Sequence, residues 1–175
     1  MKEKSIIITS ATGLILGCIL GMAGSIVPSA TFRSLAWAID SSGLILAGVL
    51  LTLYYFRKGY DTVAVGFLTF AIAETVVFSS GVTDLDDNIP TFGSGVFLWA
   101  LSIALLSLQR AFPLFVRCSG IIAAVLFAIA SVLIFTGHPV NALAKPFPFY
   151  AYPFYAVTLV GWACVFFVLT CQMQR

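Results

Sequence analysis

Charge is scarce in this chain, and histidine is almost absent. Asp, Glu, Lys and Arg make up 9% of its 175 residues, against about 25% in a soluble domain. A single histidine cannot supply the two axial imidazoles of a b-type haem, which argues against a four-helix cytochrome within one chain. None of the four cysteines forms a C-x-x-C pair, which argues against a disulfide-exchanging oxidoreductase. There is no phosphate-binding P-loop, no H-E-x-x-H and no arginine series like that of a voltage sensor. Gly93-Ser94-Gly95 lacks the glycine two positions before the serine that an intramembrane serine protease uses. Phe92 stands there, and no histidine lies in a later span to act as base. No cofactor and no metal is expected.

What the chain has is apolar length. Hydrophobic residues are 61% of the sequence, and apolar stretches recur at about 6–27, 35–56, 62–80, 92–109, 113–136 and 151–172. A bilayer core ~30 Å thick needs ~20 helical residues. The expected fold is all-α: a polytopic membrane protein, a single transmembrane domain of six helices over residues 1–175. The connections are too short to hold a soluble domain. The net charge of +2 therefore implies no nucleic-acid partner, and the lipid bilayer is the expected surroundings.

Positive charge sets the expected orientation. With the N-terminus inside, Lys2, Lys4, Arg57, Lys58, Arg110, Arg117 and Arg175 fall on the cytoplasmic side, and only Arg33 and Lys145 fall outside. That is the positive-inside pattern, carried by short loops. An even number of spans then places both termini in the cytoplasm, and a prokaryotic inner membrane is the expected location. Met-Lys-Glu-Lys before an apolar run also has the form of a secretory leader, with small residues at Met22-Ala23-Gly24-Ser25. We read it as a retained span. Cys18, Cys118, Cys164 and Cys171 lie in or at the ends of spans and read as small packing residues.

Small residues mark contact faces. Gly13, Gly17 and Gly21 recur at spacing four, which holds them on one helix face where backbones can approach closely. The partner is either a helix of the same chain or a membrane partner, including a second copy. Ala36, Asp40, Gly43 and Ala47 form a similar face in the second span. The outer segment 140–150, rich in proline and aromatics, reads as an interfacial or partly re-entrant loop.

Two carboxylates stand out at membrane depth. Such a group costs roughly 2.5–3.5 kcal/mol on insertion scales and is a functional-site hypothesis by default. Glu74 falls ~18 Å along the third span from Thr62, on the face of Phe67, Phe70 and Phe78. With no Lys, Arg or His at that depth, it is expected to be neutral or proton-exchanging. Its role is either ligand or proton binding in a pocket lined by those phenylalanines, or a plain hydrogen bond to a serine, threonine or backbone carbonyl. Asp40 is expected five residues into its span, where it is either a site residue or the N-cap of a helix starting at Ser41. Asp61 reads as a cap of the third span. Ser79, Ser80, Asp84, Asp86, Asp87 and His138 would extend an acidic funnel toward the outer face, or be solvated turns.

The leading expectation is a small protein that binds or moves a small solute, proton or cation through a site near Glu74 open to the outside. The alternatives are a non-catalytic structural or accessory subunit, and a membrane enzyme or binding protein for a lipid-like substrate with Glu74 as general acid. The orientation is directly checkable. A fluorescent protein fused to the C-terminus is expected to fluoresce, and alkaline phosphatase fused there to stay inactive. Active phosphatase would reverse the topology.

Overall fold

Apolar side chains cover both the inward and the outward faces of the helices. Leu16, Ile19, Leu46, Val49, Val65, Leu68, Val125 and Val132 all point outward and are exposed, while Leu14, Leu51, Phe67, Ile103 and Phe166 are fully buried. A helix that is hydrophobic all round belongs in a core or in lipid. Helix hydroxyls are hidden locally. Ser42, Thr52, Thr69 and Thr75 each donate to the carbonyl four residues back, which satisfies them without water.

The computed structural model describes residues 3–81, 88–138 and 147–172. Among these there are six helices and no strand: α1 Glu3–Ile26, α2 Ala30–Arg57, α3 Asp61–Gly81, α4 Ile89–Ser107, α5 Leu114–Phe135 and α6 Phe147–Gln172. All six are long and apolar enough to cross a membrane. Each packs on its neighbours in sequence, and α6 returns to α1, so the helices close a ring. The short connections 27–29, 58–60 and 108–113 make sequence neighbours antiparallel.

Two turns end by the same device. At Gly59 and Gly137 φ is +76° and +84°, the left-handed region that favours glycine. Gly59 N–H donates to Phe56 and Tyr60 N–H to Tyr55; Gly137 N–H donates to Ile134 and His138 N–H to Leu133. These are paired Schellman bonds, and at Gly137 they are the helix stop that Gly-His-Pro implies. Arg33 closes the first turn differently. Its Nη2 donates to the carbonyls of Val27 and Pro28 at 3.1 and 3.4 Å. At the opposite end Lys58 Nζ meets Glu3 Oε1 at 2.8 Å, and that hydrogen bond and charge hold the Lys58 ammonium above its usual range.

Two boundaries differ from the sequence reading in ways that matter. α2 begins at Ala30, so Asp40 lies ten residues inside it and is no N-cap. Ser29 holds that position, without a side-chain cap bond. The low hydropathy of Arg33 and Ser34 had hidden the first turns. α6 begins at Phe147, so 147–150 are helix and not interfacial loop. A proline is tolerated in a first turn, where its missing N–H is no loss, and Pro148 sits there. Asp61 opens α3 as its first residue, and Tyr60 supplies the preceding carbonyl, which accepts from Ala64 N–H.

The glycine stripe of α1 packs on α2 of the same chain. A Cβ at Gly13 would stand 2.6 Å from the Gly43 carbonyl oxygen and 3.2 Å from Ala47 Cβ. One at Gly17 would overlap Leu44, and one at Gly24 would overlap Trp37. The face offered for a partner chain is therefore already covered by α2.

The ring is filled unevenly. Toward the Lys58 end, Tyr55, Phe67, Phe70, Phe112, Trp162 and Phe166 interlock, with Tyr55 and Phe67 stacked at 5.7 Å and Phe67 edge-on to Trp162 at 5.4 Å. Toward the α1–α2 turn the interior is hollow. Overpacking a close contact costs about 1–3 kcal/mol. Gly13→Val is therefore expected to lower the thermal midpoint in mild detergent clearly. Thr12→Val, an almost isosteric change on the exposed side of α1, is expected to leave it nearly unchanged. Equal midpoints would show that the α1–α2 contact is loose.

Candidate functional site

Glu74 sits where α3, α4 and α6 meet. It is 1% exposed. Trp99 Nε1–H of α4 donates to its Oε1 at 2.9 Å, and Tyr155 O–H of α6 donates to the same oxygen at 2.5 Å. Neither donor is a serine, threonine or backbone group. Trp and Tyr bring large apolar bodies and one polar hydrogen each, so they can surround a carboxyl with rings and still satisfy it. Trp99 and Tyr155 also pack on each other and on Phe127 at centroid distances of 5.3–5.7 Å, which locks both donors. Oε2 receives no hydrogen bond from any described residue. It is the oxygen left to carry a proton or meet a ligand.

Asp40 faces α1. A Cβ at Gly17 would come 3.0 Å from its Oδ1, and one at Gly21 2.9 Å from its Oδ2. The glycines make room for the carboxylate, so the stripe in α1 and the acid in α2 are one contact. Asp40 Oδ1 is buried and has no hydrogen-bond partner among the described residues. A buried acceptor without a donor is costly, and a carboxylate without one more so.

Both acids line one cavity of about 450 Å³, within the ~300–1,000 Å³ usual for small-ligand pockets. Its walls come from the C-terminal halves of α1 and α3 and the N-terminal halves of α2, α4 and α6. It therefore occupies the end of the bundle that holds the α1–α2 turn. Met22, Ser34 and Phe78 line it and are exposed, so it reaches the surface there. Trp37, Phe92 and Tyr152 add further rings. Among the described residues no Lys, Arg or His belongs to the lining.

Of the expected pocket phenylalanines, only Phe78, 36% exposed, lines the cavity. Phe67 and Phe70 are fully buried in the aromatic packing around Trp162. The reason is depth: Phe70 lies one turn, and Phe67 two turns, closer to the filled end than Glu74. His138 is exposed beyond the end of α5, with Nδ1 3.2 Å from Thr136 Oγ1, and is not part of the lining. Asp84, Asp86 and Asp87 lie outside the described residues. Ser80 lines the cavity but donates to Val77 of its own helix. Among the described residues no group of three His, Cys, Asp or Glu is placed to hold a metal ion. All four cysteines are free, and only Cys18 lines the cavity.

Sequence reasoning passed over Trp99, Tyr155, Trp37 and Tyr152. A signal existed for the first two. A mid-span Trp or Tyr must find an acceptor for its N–H or O–H, and Glu74 is the obvious acceptor at that depth. Pairing them needed the ring order of the helices, which spacing along one helix does not carry.

Comparison with protein-family models, with curated proteins and with solved structures gives no match.

The Glu74 contacts make a measurable claim. Interhelical hydrogen bonds in membrane proteins average about 0.6 kcal/mol and reach about 1.7. Tyr155→Phe keeps the ring and removes the donor. It is expected to lower the unfolding free energy in mixed micelles by about 1 kcal/mol, above that average because the acceptor is a carboxyl. Unchanged stability would show that the contact carries no net energy.

Proposed function

We propose that this chain is a small integral membrane protein whose cavity binds a small organic cation, taken in from the end of the bundle that holds the α1–α2 turn. The observation that carries the reading is the pairing of two carboxyls in one ring-walled cavity that has no basic side chain among its described lining residues. Asp40 Oδ1 is buried without a donor, and Glu74 keeps one oxygen unengaged. Two negative groups in a poorly solvated pocket repel each other and attract positive charge. Aromatic walls add to that attraction, because a ring face favours a cation within about 6 Å. When no cation is bound, protons can take its place on the carboxyls. Cation binding and proton release are then linked.

The positive-inside pattern of the loops supports an outward-facing mouth and cytoplasmic termini. The glycine stripe that favoured an accessory subunit is packed within the chain, which removes that reading's main support. Of the three phenylalanines on which the lipid-substrate reading rested, only Phe78 lines the cavity; Phe67 and Phe70 are packed in the core.

The test uses a cation and its neutral counterpart of similar body. In lipid nanodiscs, N,N,N-trimethylphenethylammonium is expected to bind and phenethyl alcohol not to. Glu74→Gln retains an Oε1 that can accept from Trp99 and Tyr155 but removes the charge. It and Asp40→Asn should each weaken the cation about tenfold or more, which is ~1.4 kcal/mol. Affinity should also fall as pH is lowered and the carboxyls take up protons. Among the described residues, the titratable groups facing the cavity are Asp40 from α2, Glu74 from α3, Cys18 from α1, and Tyr152 and Tyr155 from α6, with none from α4. Equal binding of the alcohol, or variants indistinguishable from wild type, would overturn the reading.

A further inference from the structure

The hydrogen-bonding inventory of the cavity narrows the ligand class. Three carboxyl oxygens, Asp40 Oδ1, Asp40 Oδ2 and Glu74 Oε2, take no hydrogen bond from any described residue. Some donors of the lining are engaged, while Ser34, Trp37, Ser41 and Tyr152 line the cavity without a side-chain hydrogen bond to a described residue. Trp99 and Tyr155 both serve Glu74 Oε1. Ser25 and Ser80 donate to carbonyls of their own helices at 3.0 and 2.7 Å. The cavity therefore presents three open carboxyl oxygens and a few open donors, with rings and aliphatic side chains over most of its wall.

A cation without N–H groups answers the charge and leaves the acceptors empty. A bare metal ion would need several oxygen ligands around it, and most of the wall here is aromatic or aliphatic. A ligand that carries both positive charge and several N–H donors answers both needs through charge-assisted bonds, which are roughly twice as strong as neutral ones. The position of Asp40 is informative as well. Gly17 and Gly21 let its carboxyl lie close against α1, where a Cβ would come within 2.9–3.0 Å of its oxygens, while Asp40 also lines the cavity.

We infer that the ligand is a protonated primary amine with an apolar body, its N–H groups on Asp40 and the free oxygen of Glu74, its body beside Trp37, Phe78, Phe92 and Tyr152. This rests on the cation-site reading above and specifies its substrate class. The glycines set the position of the Asp40 carboxyl, because a Cβ at either would push against its oxygens.

The experiment compares three probes of one skeleton on the full chain in nanodiscs: phenethylamine, its N,N,N-trimethyl derivative and phenethyl alcohol. Equilibrium dialysis reads the affinity. Phenethylamine is expected to bind at least tenfold more tightly than the trimethyl compound, and the alcohol weakest of all. Asp40→Asn should erase most of the preference for the primary amine over the trimethyl compound, and Asp40→Glu should restore part of it. Thermal midpoints of both variants identify any that fail to fold, and in that case Gly21→Ala, which narrows the space at Asp40 Oδ2, should reduce the same preference. If the trimethyl compound binds as well as or better than the amine, the primary-amine inference is overturned while the cation site stands. If the alcohol binds as well as either, both fail. If none of the three binds, the inference is overturned for this skeleton and the cation site with it.

Discussion

One buried oxygen organises the middle of this bundle. Oε1 of Glu74 accepts from Trp99 and from Tyr155, and so joins α3 to α4 and to α6 at one point. α6 is last in the chain, packs on α5 and α1, and is distant from α3 in sequence. Without a polar anchor, a ring of apolar helices in an apolar solvent has little to fix its register, because lipid tails are as apolar as leucine. The carboxyl supplies that anchor. It also marks the level at which the interior changes from packed rings to open space.

The second acid depends on a different arrangement. Asp40 is accommodated by missing atoms on the facing helix: Gly17 and Gly21 contribute no Cβ where its two oxygens lie. Further along, Gly13 meets Gly43 and Ala47 as an ordinary close helix contact. The same stripe therefore does two jobs. One end holds α1 against α2, and the other makes room for a carboxyl beside a cavity. A leucine stripe would have packed as tightly against lipid, but it could not have left Asp40 its place.

The architecture was legible in the sequence because it follows from length and hydropathy. Six apolar stretches became six helices, and the shifts at α2 and α6 arose where Arg33, Ser34 and Pro148 lowered the apolar signal without stopping the helix. Glu74 was legible for the same reason, as the one acid deep in a span. Its partners were not, since Trp99 and Tyr155 lie 25 and 81 residues away. Phe67, Phe70 and Phe78 share a helix face with it, but a face runs the length of the helix while the cavity occupies half of it. Helical spacing reports direction and is silent about what fills the space at each depth.

The interlocked rings at the Lys58 end have a consequence for traffic. Tyr55, Phe67, Phe112, Trp162 and Phe166 touch edge to face and face to face across three helices and the α4–α5 turn. Each such pair contributes about 0.5–1.5 kcal/mol beyond simple burial. In this conformation the molecule is a cup with a stopper at its base. On the proposed reading, a bound cation would leave by the way it came, so occupancy of the cup would follow the concentration on one side of the bundle. That would be the behaviour of a gauge. Turning it into a conduit would require pulling the stopper, and the work of doing so would be set by the rings at the base and hardly at all by the acids above them.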